Sequence, residues 1–217
     1  MPRINAATVA EHVAQQEAAV IDAARRLFGA RGVAQVSLGD IAEEVGLGRT
    51  SLYRYFPTKA HIFQRWFDTV MDPLLEATEA AVTRPGGAGE RLDRWLQVQL
   101  DFLLDPEHTA LATASLQADE LPDDVREHFG ARHRELYATL VPVLSTATDD
   151  EALIRARVQL IAGLVGSAAD LVRAGADRAT VTAELCRSAR ATAGLPARRV
   201  RARPPASRAR ASGQPNG

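Results

Sequence analysis

The chain has 217 residues, 46% of them hydrophobic and 24% charged, an ordinary globular composition with mass for one sizeable or two small domains. Its single cysteine, Cys186, excludes an internal disulfide framework and fits a reducing compartment, where a small core hydrophobe is the plain reading of such a residue. Net charge is −1 but uneven: residues 194–217 hold six Arg and no acid, so the remainder carries −7, and any affinity for nucleic acid has to come from a local patch.

The N-terminal stretch MPRINAATVAEHVAQQ has no apolar segment of the secretory kind. The longest weakly polar run, Leu160 to Val172, is interrupted by Asp170 and is shorter than the ~20 apolar residues of a bilayer span. A cytoplasmic protein with no membrane partner is the expectation. Helical spacing recurs almost everywhere and period-two alternation almost nowhere, so the chain reads as all-α. The first helix spans about 8–30, with Val13, Val20, Ile21, Ala24, Leu27 and Phe28 on one face and Gly32 as its stop. The second starts after Ser37, which forms an S-x-x-D capping box with Asp40, and its apolar side is Ile41, Ala42 and Val45. Gly46 is placed for a left-handed turn. The third helix covers about 49–56, Pro57 ends it, and Thr58 is the expected cap of the fourth.

The fourth helix runs to about Val82, with Ile62, Phe63, Trp66, Phe67, Val70, Met71, Leu74 and Leu75 in a broad stripe. Pro73 lies inside it, which predicts a kink near Thr69–Pro73, as a pivot or a fixed bend. RPGGAG at 84–89 is a linker, and further helices are expected at about 90–104, 107–118, 122–146, 150–174 and 177–193, with Pro142 bending or breaking the third of these. From Gly194 onward Pro, Arg, Ala, Ser and Gly dominate, which predicts a disordered tail. The natural division is a small domain at 1–57, a larger helical domain at 58–193, and the tail at 194–217.

Ser37 to Lys59, SLGDIAEEVGLGRTSLYRYFPTK, holds two short helices with a glycine between them, as a helix-turn-helix requires. On the third helix Leu52 and Phe56 share the inward side, which leaves Arg49, Thr50, Tyr53 and Arg54 outward. Arg49 suits bidentate bonding to guanine, and Thr50 suits a thymine methyl or a phosphate. Ser51, Tyr53, Tyr55 and Lys59 suit phosphate oxygens, as do the backbone amides opening the second and fourth helices. On periodicity alone the same LYRYF run fits an aromatic core with solvated arginines equally well. Arg3 in the N-terminal arm has the same two readings, minor-groove contact or a solvated terminus.

Residues 19–63, with Ile41-Ala42, Gly46, Leu52-Tyr53, Tyr55-Phe56 and Lys59 at these spacings, resemble the TetR family of bacterial transcriptional regulators. The resemblance implies a three-helix DNA-binding domain joined by the long fourth helix to a larger ligand-binding and dimerisation domain. It implies a homodimeric repressor on double-stranded DNA, released from a palindromic operator by a small-molecule effector, with no cofactor. Ser37 and Tyr53 then look like phosphate contacts, Arg49 and Thr50 like base readers, and Lys59 like a phosphate clamp. Lys59 is also the only lysine beside 25 arginines, which suggests that a compact ammonium is wanted there. Two departures stand out: Gly39, where many members have a larger polar residue, and Gly48, where the usual cap is Ser or Thr.

In the larger domain the 150–174 helix carries two apolar stripes. One is Leu153, Leu160, Leu164 and Leu171; the other is Ile154, Val158, Ile161, Val165, Ala168 and Val172. The second is the expected dimer face, with a fully buried central helix as the alternative. Met71, Trp95, Phe102, Leu103, Phe129, His133 and Tyr137 are the candidate lining of an effector cavity, or equally plain core. His128 and His133 are five apart and do not share a helix face, so no metal site is expected. No H-E-x-x-H, G-x-x-x-x-G-K or G-x-S-x-G pattern points to an enzyme. A regulator without ligand control, and a helical carrier dimer with an idle helix-turn-helix, remain as alternatives.

Overall fold

A computed structural model describes residues 6–105, 108 and 121–197, and every regular element among them is helical. In chain order these are α1 (Ala6–Arg31), a 3-10 turn (Val33–Gln35), α2 (Leu38–Glu44), α3 (Arg49–Tyr55), α4 (Lys59–Thr83) and α5 (Ala88–Leu104). They continue with α6 (Asp123–Ala138), α7 (Val141–Leu144), α8 (Glu151–Arg173) and α9 (Arg178–Thr192). The N-terminal arm with Arg3, the helix expected at 107–118 apart from residue 108, and the tail from residue 198 lie outside the described residues.

Local chemistry sets the boundaries. Ser37 Oγ accepts from the Asp40 amide (3.2 Å) and the Asp40 carboxylate accepts from the Ser37 amide (2.7 Å), so the capping box opens α2 as expected. Gly46 closes it at φ 68°, with Leu47 N–H donating to Ala42 C=O (2.9 Å) and Gly46 N–H to Glu43 C=O (3.1 Å), the Schellman pattern. The 122–146 pattern breaks, as Pro142 predicts: α6 stops at Ala138 and the proline falls in the first turn of the separate α7. Pro73 behaves differently. α4 continues through it as one 25-residue helix, without the break that Pro142 makes. Thr58 holds the N-cap position of α4 without capping it, because its hydroxyl pairs with His61 Nδ1 (2.8 Å).

Two apolar cores organise the chain. The first joins α1, α2 and α3 to the front half of α4, as far as Leu75, and takes Val125, Phe129 and Leu136 from α6. Packing therefore crosses the 57/58 junction. Phe28, Phe63, Trp66, Phe67 and Phe129 form its aromatic centre, with ring centroids 4.3–6.3 Å apart. The second core gathers the end of α4, α5, α7, α8 and α9 around Trp95, whose Nε1 donates to Thr139 Oγ1 (2.8 Å). A bidentate pair fastens α9 to α5 here: Arg190 Nε and Nη2 donate to the two carboxylate oxygens of Asp93 (2.8 and 2.6 Å). That carboxylate also raises the guanidinium's pKa.

A polar seam joins α4 to α6. His61 faces Asp124 (3.6 Å), Asp68 pairs with His128 (2.7 Å), and Asp72 pairs with Arg132, so the two helices run side by side in one direction. His128 thus works as a carboxylate partner.

α8 corrects the choice of stripe. Ile154, Val158, Ile161, Val165 and Ala168 are buried in the protomer's own second core and Val172 is half-buried against it. Leu153, Leu160 and Leu171 are the exposed set, at 40%, 60% and 54%, with Leu164 half-buried between them. The reason is register: α5 and α9 both pack on the isoleucine–valine side. By length and composition alone α8 also passes for a membrane-crossing helix, yet that whole side is engaged by neighbouring helices.

Candidate nucleic-acid interface

α3 is anchored by Leu52, 1% exposed, and by Phe56 just after its end, 3% exposed. This fixes which side faces out: Arg49, Thr50, Tyr53 and Arg54 are exposed, as the spacing predicts. Ser51 and Tyr55 are half-buried on the flanks. Tyr55 packs against the first core, with the Arg54 guanidinium 5.5 Å from its ring centroid. Its place is therefore between helices rather than on the open face.

Between α2 and α3 lies a notch of about 230 Å³ lined by Ser37, Leu38, Gly39, Arg49, Leu52 and Tyr53. It brings together three of the residues singled out from sequence, Ser37, Arg49 and Tyr53. Gly39 explains itself here. A Cβ at that position would stand 2.7 Å from Arg49 Nη2 and 3.2 Å from its Cζ, so the glycine leaves the room in which the guanidinium lies across α2. Asp40 beside it is held below the usual carboxylate range, chiefly by its hydrogen bonds to Ser37, with Arg31 and Arg49 adding to the same direction. Gly48 opens α3 without a side-chain acceptor, and α4 likewise lacks one, so no cap side chain occupies the first amides of either helix.

Lys59, the expected clamp, turns its ammonium toward the protein's own backbone. Its Nζ donates to the carbonyls of Val33 (2.7 Å), Val36 (2.9 Å) and Ala34 (3.3 Å). An ammonium has three N–H groups, and three backbone carbonyls lie within reach of them.

The expected effector lining does not assemble. Met71, Phe102 and Phe129 belong with the first core, Trp95, Leu103 and Tyr137 with the second, and His133 is exposed with Nδ1 on Phe129 C=O (2.8 Å). Burial also raises the Tyr137 hydroxyl's pKa. A groove of about 760 Å³ does lie between α1, α4 and α5. Of those seven residues Phe102 lines it and the other six do not. Its walls include Ile21, Trp66 and Leu74, together with Arg25, Arg65 and Pro73. Aromatic type marks residues that fill cores, and nothing in a sequence says which of two cores each will fill.

Residues 20–65 match the family model described as bacterial regulatory proteins, tetR family. Over 121 residues the chain is 33% identical to the HTH-type transcriptional regulator TtgR of Pseudomonas putida, covering 54% of this chain and 57% of that one. The chain spans about half the length of the curated relatives it matches. Among solved structures, a tetR-family transcriptional regulator from Streptomyces coelicolor superposes with a TM-score of 0.65 at 24% identity, over 82% of this chain and 80% of that one. The regulator FadR from Bacillus subtilis, solved with stearoyl-CoA, superposes at 0.65 and 19%, over 79% and 96%.

Proposed function

We propose that the chain, whose residues 20–65 match the model of the tetR family of bacterial regulatory proteins, is a homodimeric, DNA-binding transcriptional repressor released by a small-molecule effector. The observation that carries the reading is the notch between α2 and α3, where Ser37, Arg49 and Tyr53 converge beside the exposed Thr50 and Arg54. Arg49 and Thr50 read base edges. Tyr53, Ser37 and the opening amides of α3 and α4 take phosphates. The exposed leucines of α8 support self-association, since an isologous contact duplicates each of them across a twofold axis. Two recognition helices related in that way read half-sites about 34–36 Å apart, or a multiple of it, on a palindromic operator.

The groove between α1, α4 and α5 is the place assigned to the effector. Its apolar walls suit a molecule with a hydrocarbon body, and its rim carries the ion pairs Arg25–Asp22 (3.9 Å) and Arg65–Glu17 (4.0 Å), which can meet a polar group. The stearoyl-CoA bound by the structurally similar FadR makes acyl compounds the first class to test. Occupancy of the groove favours one position of α4 over another, and α4 carries the reading helices with it.

The test is selection of duplexes from random-sequence DNA by the purified protein, then affinity measurements on Arg49→Ala and Tyr53→Phe. Arg49→Ala relaxes specificity at one position per half-site, and Tyr53→Phe weakens all sequences alike. Recovery of no preferred sequence removes the reading. Recovery of one whose binding no acyl compound or other metabolite diminishes leaves a regulator without ligand control.

A further inference from the structure

We propose that Lys59 is the positioning residue that locks the entrance of α2 to the first turn of α4, rather than a ligand of the DNA backbone. This rests on the DNA-binding reading above.

The three carbonyls that Lys59 holds all belong to residues 33–36, the connection between α1 and α2. That connection is weakly held by its own backbone. Its turn bonds, Gln35 N–H to Gly32 C=O and Val36 N–H to Val33 C=O, are long at 3.3 and 3.4 Å. Val36 is followed directly by Ser37, which caps α2 and lines the notch with Arg49 and Tyr53. The grip of Lys59 on Val36 C=O therefore sets where the cap stands. Lys59 is itself the first residue of α4, so one side chain joins two segments that lie 23–26 residues apart in the chain.

The chemistry explains why this one position escapes a chain-wide use of arginine. A tetrahedral ammonium sends three N–H groups in three directions and meets three carbonyls converging on a point. A guanidinium is planar and its donors fan out in one plane, so it cannot close the same tripod. A phosphate contact, by contrast, tolerates or prefers the fork.

The experiment compares wild type, Lys59→Met and Lys59→Arg, using as probe the duplex that the wild-type protein selects from random-sequence DNA. Affinity is measured across a salt series, and amide hydrogen exchange across residues 33–41 is followed in the free proteins, with circular dichroism confirming that each variant is folded. The expected result is that both substitutions weaken binding by about tenfold or more, the 1.4 kcal/mol scale of one charge-assisted hydrogen bond. The salt slope stays that of the wild type, and exchange at 33–41 quickens by a similar factor. If Lys59→Met lowers the salt slope by ~0.9, the value of one lost phosphate contact, while Lys59→Arg binds normally, the inference is overturned. Unchanged exchange in both variants overturns it as well. Should the wild-type protein select no duplex, the functional reading falls, and the exchange arm still decides whether Lys59 positions the α2 entrance. Should Lys59→Met fail to fold, Lys59→Arg alone decides by the same readouts.

Discussion

Leu160 and Ile161 are adjacent on α8 and have opposite environments, 60% and 0% exposed. In the proposed homodimer, replacing each separates self-association from folding. Full burial of a leucine side chain contributes roughly 1.5–3 kcal/mol, so covering the exposed three-fifths of Leu160 contributes about 1–2 kcal/mol per protomer and about 2–4 kcal/mol per dimer. Leu160→Asp removes that contribution and places two carboxylates where water is excluded. The expected rise in dimer Kd is therefore at least one and a half to three decades, at about 1.4 kcal/mol per decade. Ile161→Ala instead opens the second core, at a cost of about 2–5 kcal/mol, or about 4–20 °C in Tm for a chain of this size. Sedimentation equilibrium over a concentration series reads the first effect, and thermal unfolding at fixed concentration reads the second. The reasoning fails if Leu160→Asp stays dimeric at the wild-type Kd or loses its helical fold. It fails equally if Ile161→Ala splits the dimer at undiminished stability.

Arg190→Ala strands the Asp93 carboxylate against α5 and lowers stability by about 3–5 kcal/mol, read as the urea midpoint; Arg190→Lys recovers only part of it, because an ammonium cannot reproduce the two-point pairing. Gly48→Ser stabilises by roughly 0.5–1 kcal/mol, or about 1–4 °C in Tm: Gly48 is in the extended region at φ −65°, a Cβ there meets nothing within 4 Å, and the hydroxyl supplies the missing cap. A fall in Tm would contradict it. Asp40 gives a pH signature. Its folded pKa is depressed, so its contribution is present above the unfolded value of about 3.9 and is lost as pH falls through the lower folded value. The stability gap between wild type and Asp40→Asn accordingly narrows in acid, and a gap that is constant from neutral pH into acid would show that the charge of Asp40 does not act in the capping box.

The elements most legible in the sequence are those whose signals are local. Ser37, Asp40 and Gly46 mark both ends of α2 within ten residues, because a capping box and a left-handed turn act over three or four bonds. The outward side of α3 was legible for the same reason, since Leu52 and Phe56 fix the rotation of a seven-residue helix. What escaped depends on distant partners. Both stripes of α8 are apolar, and only the arrival of α5 and α9 selects the buried one. Thr58 stands at a cap position, yet its hydroxyl is taken by His61. Lys59 was marked out by composition, but its acceptors lie on the far side of α2 and α3, beyond the reach of any periodicity. The seam of Asp68 and Asp72 with His128 and Arg132 was visible only as two matching four-residue spacings, with nothing to say that they would meet.

The unbroken length of α4 has a mechanical consequence. Twenty-five residues make a rod of about 37 Å at 1.5 Å per residue. A tilt of about 5° around its C-terminal end carries Lys59, at the other end, through roughly 3 Å. The rise from one base pair to the next is about 3.4 Å. A rotation small enough for side chains to absorb by changing rotamers at one end of the rod therefore becomes nearly a full letter of displacement at the other.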